Sequence, residues 1–267
     1  MAFARWEFWL GTVGCQIVGF GIVYWLDKKL MRRGTGPAIV SALNASSPNV
    51  AFVGIPIVTG LLPGNHEALL VVALAAVTPN FLVIFAQMRF DMLAGHAAWS
   101  RDAGVGSLLR TFLLGNPLLL FAVLGFVLSI TGLGLWEPLD RTFALIGYSA
   151  VPCMLLSLGL GLRERLRMSV RRIRIRGMAC QAWLVLWKLL LLPLLCWAIM
   201  EVTGATPLWT GVAVLSMATG SGMVASVLAQ VYSTVPEETA LTTILTNGLS
   251  VVTLSLIIYL LGIGGYF

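Results

Sequence analysis

The chain has 267 residues, of which 58% are apolar and only 10% are charged. A water-soluble domain carries about 25% charged residues, so this composition excludes most soluble folds. The formal net charge of +6 would suggest nucleic-acid binding in a soluble protein. Together with a mean hydropathy of +0.93, it predicts instead an integral protein of the lipid bilayer, with its basic residues in loops and no nucleic-acid partner.

Eight apolar segments are each long enough to cross a bilayer, which takes about 20 helical residues. Short polar loops separate them, and no soluble domain or low-complexity tract lies between them. We therefore predict an all-α membrane protein, a helical bundle of about 8 transmembrane spans. In chain order the predicted spans are Trp6–Leu26, Pro37–Leu62, Ala68–Met88, Leu108–Ile130, Thr142–Leu162, Met178–Val202, Leu208–Tyr232 and Thr239–Gly262.

The basic residues predict the topology, because positively charged loops are retained in the cytoplasm. Most of the 17 Lys and Arg residues fall in three alternate loops, which places both termini outside, most simply in a bacterial plasma (inner) membrane. The arginine run within residues 163–176 could also form an anionic-lipid or nucleic-acid patch, but we prefer the topogenic interpretation. The residues assigned to the inside are Lys28, Lys29, Arg32, Arg33, Arg89, Arg101, Arg110, Arg163, Arg165, Arg167, Arg171, Arg172, Arg174 and Arg176.

The second predicted span contains polar and helix-breaking residues at mid-depth. Pro48 removes a backbone donor and disfavours helical geometry at Ser47. We predict that the helix breaks here and that Pro48 opens a second half-helix, with Ser46 or Ser47 as its cap. Backbone groups freed at this depth must be buried in protein or line a wet cavity. The alternative interpretation is a kinked helix whose small residues allow close packing.

Lys188, in the sixth predicted span, is the one Lys, Arg, Asp or Glu near the centre of any predicted span. A charge at this depth costs about 2.5–3.5 kcal/mol on insertion scales, so it usually has a function or a partner. Two interpretations stay open: charge balance for a substrate, or a structural donor to carbonyls freed by Pro193 or by a broken helix. Since no span centre holds Asp or Glu, we do not expect a carboxylate proton relay or a carboxylate-rich sodium site.

The sequence holds no recognisable catalytic or metal-binding constellation. The cysteines have no metal-ligand spacing, and we interpret them as small buried hydrophobic residues. No paired carboxylates or Ser/His arrangement falls within the spans, so we expect neither an enzyme nor a metal or cofactor. The cysteines are Cys15, Cys153, Cys180 and Cys196, and the two histidines, His66 and His96, lie in loops.

The seventh predicted span repeats the pattern of the second. Gly220 and Gly222 flank Ser221 at comparable depth, and paired glycines loosen a helix. Each irregular span sits between two intact ones, and by the charge assignment the two sets run in opposite directions. We therefore predict inverted repeats: first-repeat helices in residues 1–107, intervening helices in 108–176 and second-repeat helices in 177–267. Inverted repeats with broken helices at the midplane are typical of secondary transporters.

The third span of each set carries a polar pair at mid-depth. These pairs are Thr78 with Asn80 and Thr246 with Asn247. We expect both pairs to face the same interior as the broken helices.

One run of residues carries a family resemblance. The stretch Ser47-Pro48-Asn49-Val50-Ala51-Phe52-Val53-Gly54-Ile55-Pro56 resembles the signature of the auxin efflux carrier family, plant and bacterial transporters that include bacterial malonate transporters. Further similar stretches follow in the same order over the whole chain: Asn116-Pro117, Pro152 with Leu158-Gly159-Leu160-Gly161-Leu162, Lys188 with Pro193, and Leu228-Ala229 through Tyr232 to Thr246 and Thr253.

The resemblance implies a fold of ten spans in two inverted five-helix repeats, with a scaffold domain and a transport domain that moves like an elevator. The first span of this chain resembles the third of that family, so the transport-domain helices are present and two scaffold helices are not. Two interpretations stay open: the gene start is misassigned or truncated, or the protein is a short form for which a second copy of the chain, as a homodimer, or another partner supplies these helices. Where many relatives have Pro and Asn, Gly220-Ser221-Gly222 is closer to the malonate branch.

These observations predict a carrier of small organic anions, such as malonate or a related carboxylate. Helix breaks expose backbone amides at half-helix N-termini, whose partial positive charge suits an anion. A non-transporting membrane subunit or partner-binding protein is the alternative interpretation. The predicted substrate-site residues are Ser47, Asn49, Gly220, Ser221 and Gly222, with Asn80 and Asn247 shaping the crossing and Lys188 balancing charge.

Overall fold

The computed structural model of the protein describes residues 5–93, 124–125, 127–128, 131, 135–149, 156 and 175–267. Within these ranges all regular structure is helical apart from one isolated β-bridge. The chain divides into two compact units, one made of Met1–Gln87 with Gly159–Phe267 and the other of Met88–Leu158. The first unit therefore combines the two ends of the sequence and holds both of the irregular segments.

The first half of this unit contains three helical passes, of which the middle one is broken. Its helices are α1 (Trp6–Lys29), α2 (Thr35–Ser46), α3 (Val50–Leu61), α4 (His66–Val77) and α5 (Pro79–Leu93). α2 ends at Ser46 because the following Ser47 is extended, with φ −97° and ψ 104°, as expected for a residue before proline. α4 and α5 form one continuous pass that is interrupted only at Thr78.

The second half repeats this arrangement of three passes with a broken middle one. Its helices are α6 (Ile175–Leu186), α7 (Leu192–Val202), α8 (Pro207–Ala218), α9 (Val224–Val231) and α10 (Pro236–Ile263). A π-helical turn, Trp187–Leu191, joins α6 to α7. α8 ends where Thr219 becomes extended, with φ −61° and ψ 153°, so the predicted breaks in the second and seventh spans are both present.

Four helices of the described residues are long and apolar enough to cross a membrane. They match the first, third, sixth and eighth predicted spans, while the second and seventh are divided into the shorter apolar pieces that end at Leu61 and Ala218. Most of the fourth and fifth predicted spans, as well as the arginine run within 163–174, falls outside the described residues. The total of eight spans, the inverted direction of the repeats and the orientation of the termini stay predictions. The four candidate spans are Trp6–Lys29, His66–Phe90, Ala179–Val202 and Pro236–Ile263.

The core of the first unit surrounds α8. Ten consecutive residues of α8, from Trp209 to Ala218, are buried, and α8 packs against α4, α7 and α10. Large apolar side chains on the outer helices are exposed instead, such as Trp25 on α1 and Val252 on α10. Exposed apolar side chains on the outer helices suit a bundle in lipid. Lipid tails are themselves apolar, so such side chains need no burial, and polar groups lie on the inner helices.

The described part of the second unit contains one longer helical stretch, residues 137–149. It exposes large apolar side chains, including Phe143 and Tyr148, as a helix in contact with lipid would. An ion pair between Arg141 and Glu137, one helical turn apart, lies on its exposed surface.

Candidate substrate site at the helix crossing

The two helix breaks meet in the interior of the first unit. Pro48 and Ser221 form an isolated antiparallel β-bridge. The Asn49 amide donates to Gly220 O at 2.8 Å, and the Gly222 amide donates to Ser47 O, also at 2.8 Å. Pro48 has no backbone N–H to donate. The two bonds of this bridge come from the neighbouring residues Asn49 and Gly222, so proline at this position leaves no bond of the bridge unmade. We call residues 47–49 and 219–222 the crossing.

Gly220 is required by close packing at the crossing. A Cβ atom there would lie 2.6 Å from Asn247 Cγ and 2.7 Å from the backbone Cα of the same residue on α10. At Gly222 the nearest atom would be Ser47 Oγ, at 3.3 Å. The chain therefore tolerates no side chain at Gly220 without moving α10, whereas Gly222 leaves slightly more space.

Two asparagines connect the crossing to α10. Asn49 Nδ2 donates to Asn247 Oδ1 at 3.0 Å. Asn247 Nδ2 in turn donates to Ser221 O at 2.9 Å and to Thr243 O at 2.8 Å, and the Ser221 amide donates to Thr246 Oγ1 at 3.1 Å. One side chain of the first break, one of α10 and the backbone of the second break thus form a single network.

Four half-helix ends point their dipoles at the crossing. α2 and α8 end there, so their last carbonyls carry partial negative charge. α3 and α9 begin there, and the first amides of each have no acceptor within their own helix. The predicted cap is wrong: α3 starts at Val50 with Asn49 in the N-cap position and without a side-chain cap. Pro48 lies in the bridge instead, because pairing with the second break keeps it extended.

The crossing and the adjoining Ser46 are buried, and two serine hydroxyls are unpaired. Ser47 and Asn49 are no more than 2% exposed, and Ser46 and Ser221 are fully buried. Neither Ser46 Oγ nor Ser221 Oγ has a hydrogen-bond partner among the residues that the structure describes. An unpaired buried hydroxyl costs about 1–3 kcal/mol, which makes these groups candidates for contact with a bound molecule.

Lys188 lies next to the crossing and is fully buried. Its Nζ donates to Met217 O at 2.7 Å, in the last turn of α8. The ammonium thus contacts a carbonyl that the helix break has freed, which is one of the two interpretations that the sequence left open. Because the contact lies two residues before the crossing, the charge can still act on a molecule bound there.

Asn80 is a predicted site residue that does not bond to the network. Its Nδ2 donates to Val77 O at 3.1 Å on its own pass. The polar neighbour Thr78 faces inward instead, and its Oγ1 accepts from Gln16 Nε2 at 2.6 Å. The structure brings together Ser47, Asn49, Gly220, Ser221, Gly222 and Asn247, with Lys188 adjacent.

A charged cluster that the sequence did not predict lies at the start of α2. Asp27 is fully buried near the end of α1, and its Oδ2 lies 3.5 Å from Arg33 NH1. Arg33 also pairs with Glu238 at the start of α10 and donates to Ser41 Oγ at 3.0 Å. The first predicted span ends at Leu26, whereas the helix continues to Lys29 and includes Asp27. Asp27 lies at the end of this helix and not at its centre, where the sequence predicts no Asp or Glu.

The cysteines agree with their interpretation as buried small residues. Cys15, Cys180 and Cys196 are buried free thiols, while Cys153 lies outside the described residues. No group of three His, Cys, Asp or Glu side chains that could hold a metal ion occurs in the described part of the chain.

Comparisons with known proteins agree with this geometry. The family model described as "Membrane transport protein" matches residues 106–260, which is more than half of the chain. A protein of Rhizobium meliloti (strain 1021) named "Putative malonate transporter" is 25% identical over 268 residues, covering 97% of this chain and 78% of that relative.

Proposed function

Because this chain belongs to the membrane transport protein family that its auxin efflux carrier motifs indicated, we propose that it is a secondary carrier of small organic anions. The observation that carries the proposal is the antiparallel crossing of two broken helices inside one compact unit. Discontinuous helices that meet at mid-membrane are the usual binding site of such carriers. The protein is a membrane transporter and not an enzyme, and we place it in a bacterial inner membrane with both termini outside.

The charges around the crossing favour an anion. The first amides of α3 and α9 offer partial positive charge, and the Lys188 amino group would add to it when protonated. Among the residues that the structure describes, no Asp or Glu side chain bonds to residues 47–49 or 219–222. A carboxylate at the crossing would therefore find donors and no competing acid. The similarity to a malonate-named protein supports a small carboxylate such as malonate as the substrate.

We assign each residue of the crossing a separate role in binding. The unpaired Ser221 hydroxyl, together with Ser47 and Asn49, would donate to the substrate carboxylate. Gly220 and Gly222 would let the backbone approach the substrate, and Asn247 would hold the two breaks in register. Lys188 would balance the charge of the substrate, whereas Asn80 shapes the third pass and contributes no donor to the crossing.

The division of the chain supports an elevator-like cycle. Both broken helices and their flanking passes belong to the unit formed by the two ends of the sequence, while residues 88–158 form the other unit. We propose that the first unit carries the substrate and that the helices of the second unit act as scaffold. The passes on either side of each break are similar in length and order, which supports the inverted repeat.

Uptake of radiolabelled malonate into proteoliposomes tests this function. We expect saturable uptake that Asn49→Ala reduces about 10-fold or more, since it removes a buried donor worth about 1–3 kcal/mol. Asn80→Ala is the matched control: it removes the same side chain from a position outside the network, and uptake should change less than about 3-fold. Equal effects of the two variants would contradict the site assignment. Absence of uptake with every mono- and dicarboxylate of a panel would contradict the transport function.

A further inference from the structure

The basic residues at the end of α1 differ in whether an acid neutralises them. Arg33 faces inward and is paired with Asp27 and Glu238. The others have no acidic partner among the residues that the structure describes. They lie within residues 28–32 and leave positive charge uncompensated at this end of the helix. We call Lys28, Lys29 and Arg32 the basic end.

The backbone after α1 directs Arg33 inward and leaves Arg32 exposed. Arg32 has φ +52°, in the left-handed region that helix ends usually reserve for glycine. The chain has a long charged side chain at this position instead, and that side chain is exposed. A residue that fits its backbone poorly and has no acidic partner in the fold is best explained by what its charge binds outside the fold.

An exposed apolar stripe on α1 leads to the basic end. It consists of Val18, Ile22 and Trp25, which share one face of the helix because residues three and four apart are neighbours. Trp25 is 54% exposed, and the ammonium of Lys29 lies 5.3 Å from the centroid of its ring. Tryptophan next to lysine at the end of a spanning helix is typical of the membrane interface.

An anionic phospholipid presents both features that match this surface, apolar chains and a negative headgroup. We propose that one anionic phospholipid binds here, with its phosphate at the basic end and an acyl chain along the apolar stripe. A soluble anion would need no apolar stripe. A second copy of the chain docked symmetrically through the same surface would bring two basic ends together, and these repel each other. The inference does not depend on which substrate the protein carries.

Lipid binding to the purified protein tests the basic end. Native mass spectrometry follows titrations with phosphatidylglycerol and with phosphatidylcholine of the same acyl chains. We expect the wild type to bind phosphatidylglycerol about 10-fold or more tightly, since each basic residue near an anionic headgroup contributes about 5-fold. The triple variant Lys28→Gln, Lys29→Gln, Arg32→Gln should bind both lipids with similar affinity. Arg141→Gln is the charge control, because Arg141 is already paired with Glu137, and it should keep the preference.

Two results of this titration would overturn the proposal. One is equal affinity of the wild type for the two lipids. The other is a triple variant that keeps the preference of the wild type.

Substitutions of Arg32 separate lipid binding from folding. Glycine suits φ +52°, so Arg32→Gly should unfold in detergent at the wild-type Tm or slightly above it. Its affinity for phosphatidylglycerol should nevertheless fall about 5-fold. Arg32→Lys keeps the charge and should keep the affinity. An unchanged affinity in Arg32→Gly would show that the charge at this position binds no headgroup, and the proposal would fail.

Tryptophan fluorescence tests the apolar stripe. Phosphatidylglycerol with brominated acyl chains, added at one lipid per protein, should quench the wild type more than Trp25→Phe. Trp136→Phe is the matched control, since Trp136 is also exposed but lies in the second unit, and it should be quenched like the wild type. Equal quenching of the wild type and Trp25→Phe would contradict the position of the acyl chain.

The same measurements distinguish a lipid from other occupants. Inorganic phosphate shares the charge of the headgroup but has no acyl chains, so millimolar phosphate should not displace the brominated lipid. Displacement would make the basic end a site for soluble anions and overturn the proposal. A dimer in the native mass spectra that Trp25→Ala dissociates would assign the stripe to a second copy and overturn it as well.

Discussion

The break between α2 and α3 and the break between α8 and α9 reach the same crossing by different means. The first break depends on Pro48. Arg33, which is paired with Asp27 and Glu238, precedes α2 at the end of that helix far from the crossing. The second depends on Gly220, and Lys188 donates to Met217 O, two residues before the crossing. One broken helix is thus held by charge at its outer end and the other at its inner end.

The different positions of Arg33 and Lys188 indicate different roles: Arg33 anchors a helix, and Lys188 lies near the proposed substrate. Arg33 contacts α1, α2 and α10, so it fixes where the first broken helix begins. Lys188 hydrogen-bonds to the freed carbonyl of Met217, two residues before the crossing, so it lies close enough to act on a molecule bound there. Substitutions in the outer cluster should therefore change stability, and substitutions at the crossing should change substrate handling.

The largest effect is expected from Arg33→Ala, which tests the anchoring. It leaves Asp27 buried without its cation, and loss of one partner of a buried pair costs about 3–5 kcal/mol. We expect a large fall in Tm, measured by tryptophan fluorescence in detergent, whereas Lys29→Ala at an exposed site of the same helix end should change little. The Michaelis constant for malonate in the surviving protein should be close to that of the wild type. A Tm within a degree of the wild type would show that the cluster is not an anchor.

The next effect separates the two glycines of the second break. Gly220→Ala places a methyl group 2.7 Å from the backbone of Asn247, so α10 must move. Overpacking of this kind costs about 1–3 kcal/mol, and we expect uptake to be lost together with part of the stability. Gly222→Ala is the matched control, because its nearest contact, at 3.3 Å, is a serine hydroxyl that can rotate. Similar falls in Tm for both variants would contradict the role of close packing at Gly220.

The sequence alone predicts the two breaks but not how they are held. Pro48 and the pair Gly220 and Gly222 act on their own backbone, so a local rule locates them. The partner of Lys188 is a carbonyl 29 residues away in sequence, and no local pattern reports such a contact. Hydropathy ends a span at the first charge and so excludes Asp27, although the helix continues for almost another turn, to Lys29, and Arg33 pairs with Asp27.

Asn80 is a case in which the sequence predicts a contact that the structure does not contain. It matches Asn247 in depth and in its place within the repeat, but only Asn247 reaches the crossing. α4 ends at Val77 and α5 begins at Pro79, so the third pass is interrupted next to Asn80, whereas α10 is a single helix. Equivalent places in the two repeats therefore predict which helical passes exist better than they predict which side chains are in contact.

A smaller effect is expected from the asparagine pair, which joins the first break to α10. Asn49→Ala should destabilise the protein by about 1 kcal/mol, as loss of one hydrogen bond typically does, and Asn247→Ala should cost more because its side chain makes three hydrogen bonds. Because the two amides bond to each other, the double variant should cost less than the sum of the singles, with a coupling of about 0.5–1.5 kcal/mol. Chemical unfolding of the four proteins of this cycle measures the coupling. Strict additivity would show that the 3.0 Å contact between Asn49 Nδ2 and Asn247 Oδ1 contributes no stability.

The smallest effect on stability, and the sharpest separation of binding from anchoring, is expected from Ser221→Ala. The Ser221 hydroxyl is buried and has no partner among the described residues, so its removal should leave Tm unchanged or raise it by about a degree. If this hydroxyl donates to the substrate, the Michaelis constant for malonate should rise about 5-fold or more. Ser226→Ala provides the contrast, because its hydroxyl is paired with Thr243 Oγ1 at 2.9 Å, and it should lower Tm with little change in the Michaelis constant. An unaltered Michaelis constant in Ser221→Ala would remove that hydroxyl from the proposed site and leave binding to the backbone amides of α3 and α9.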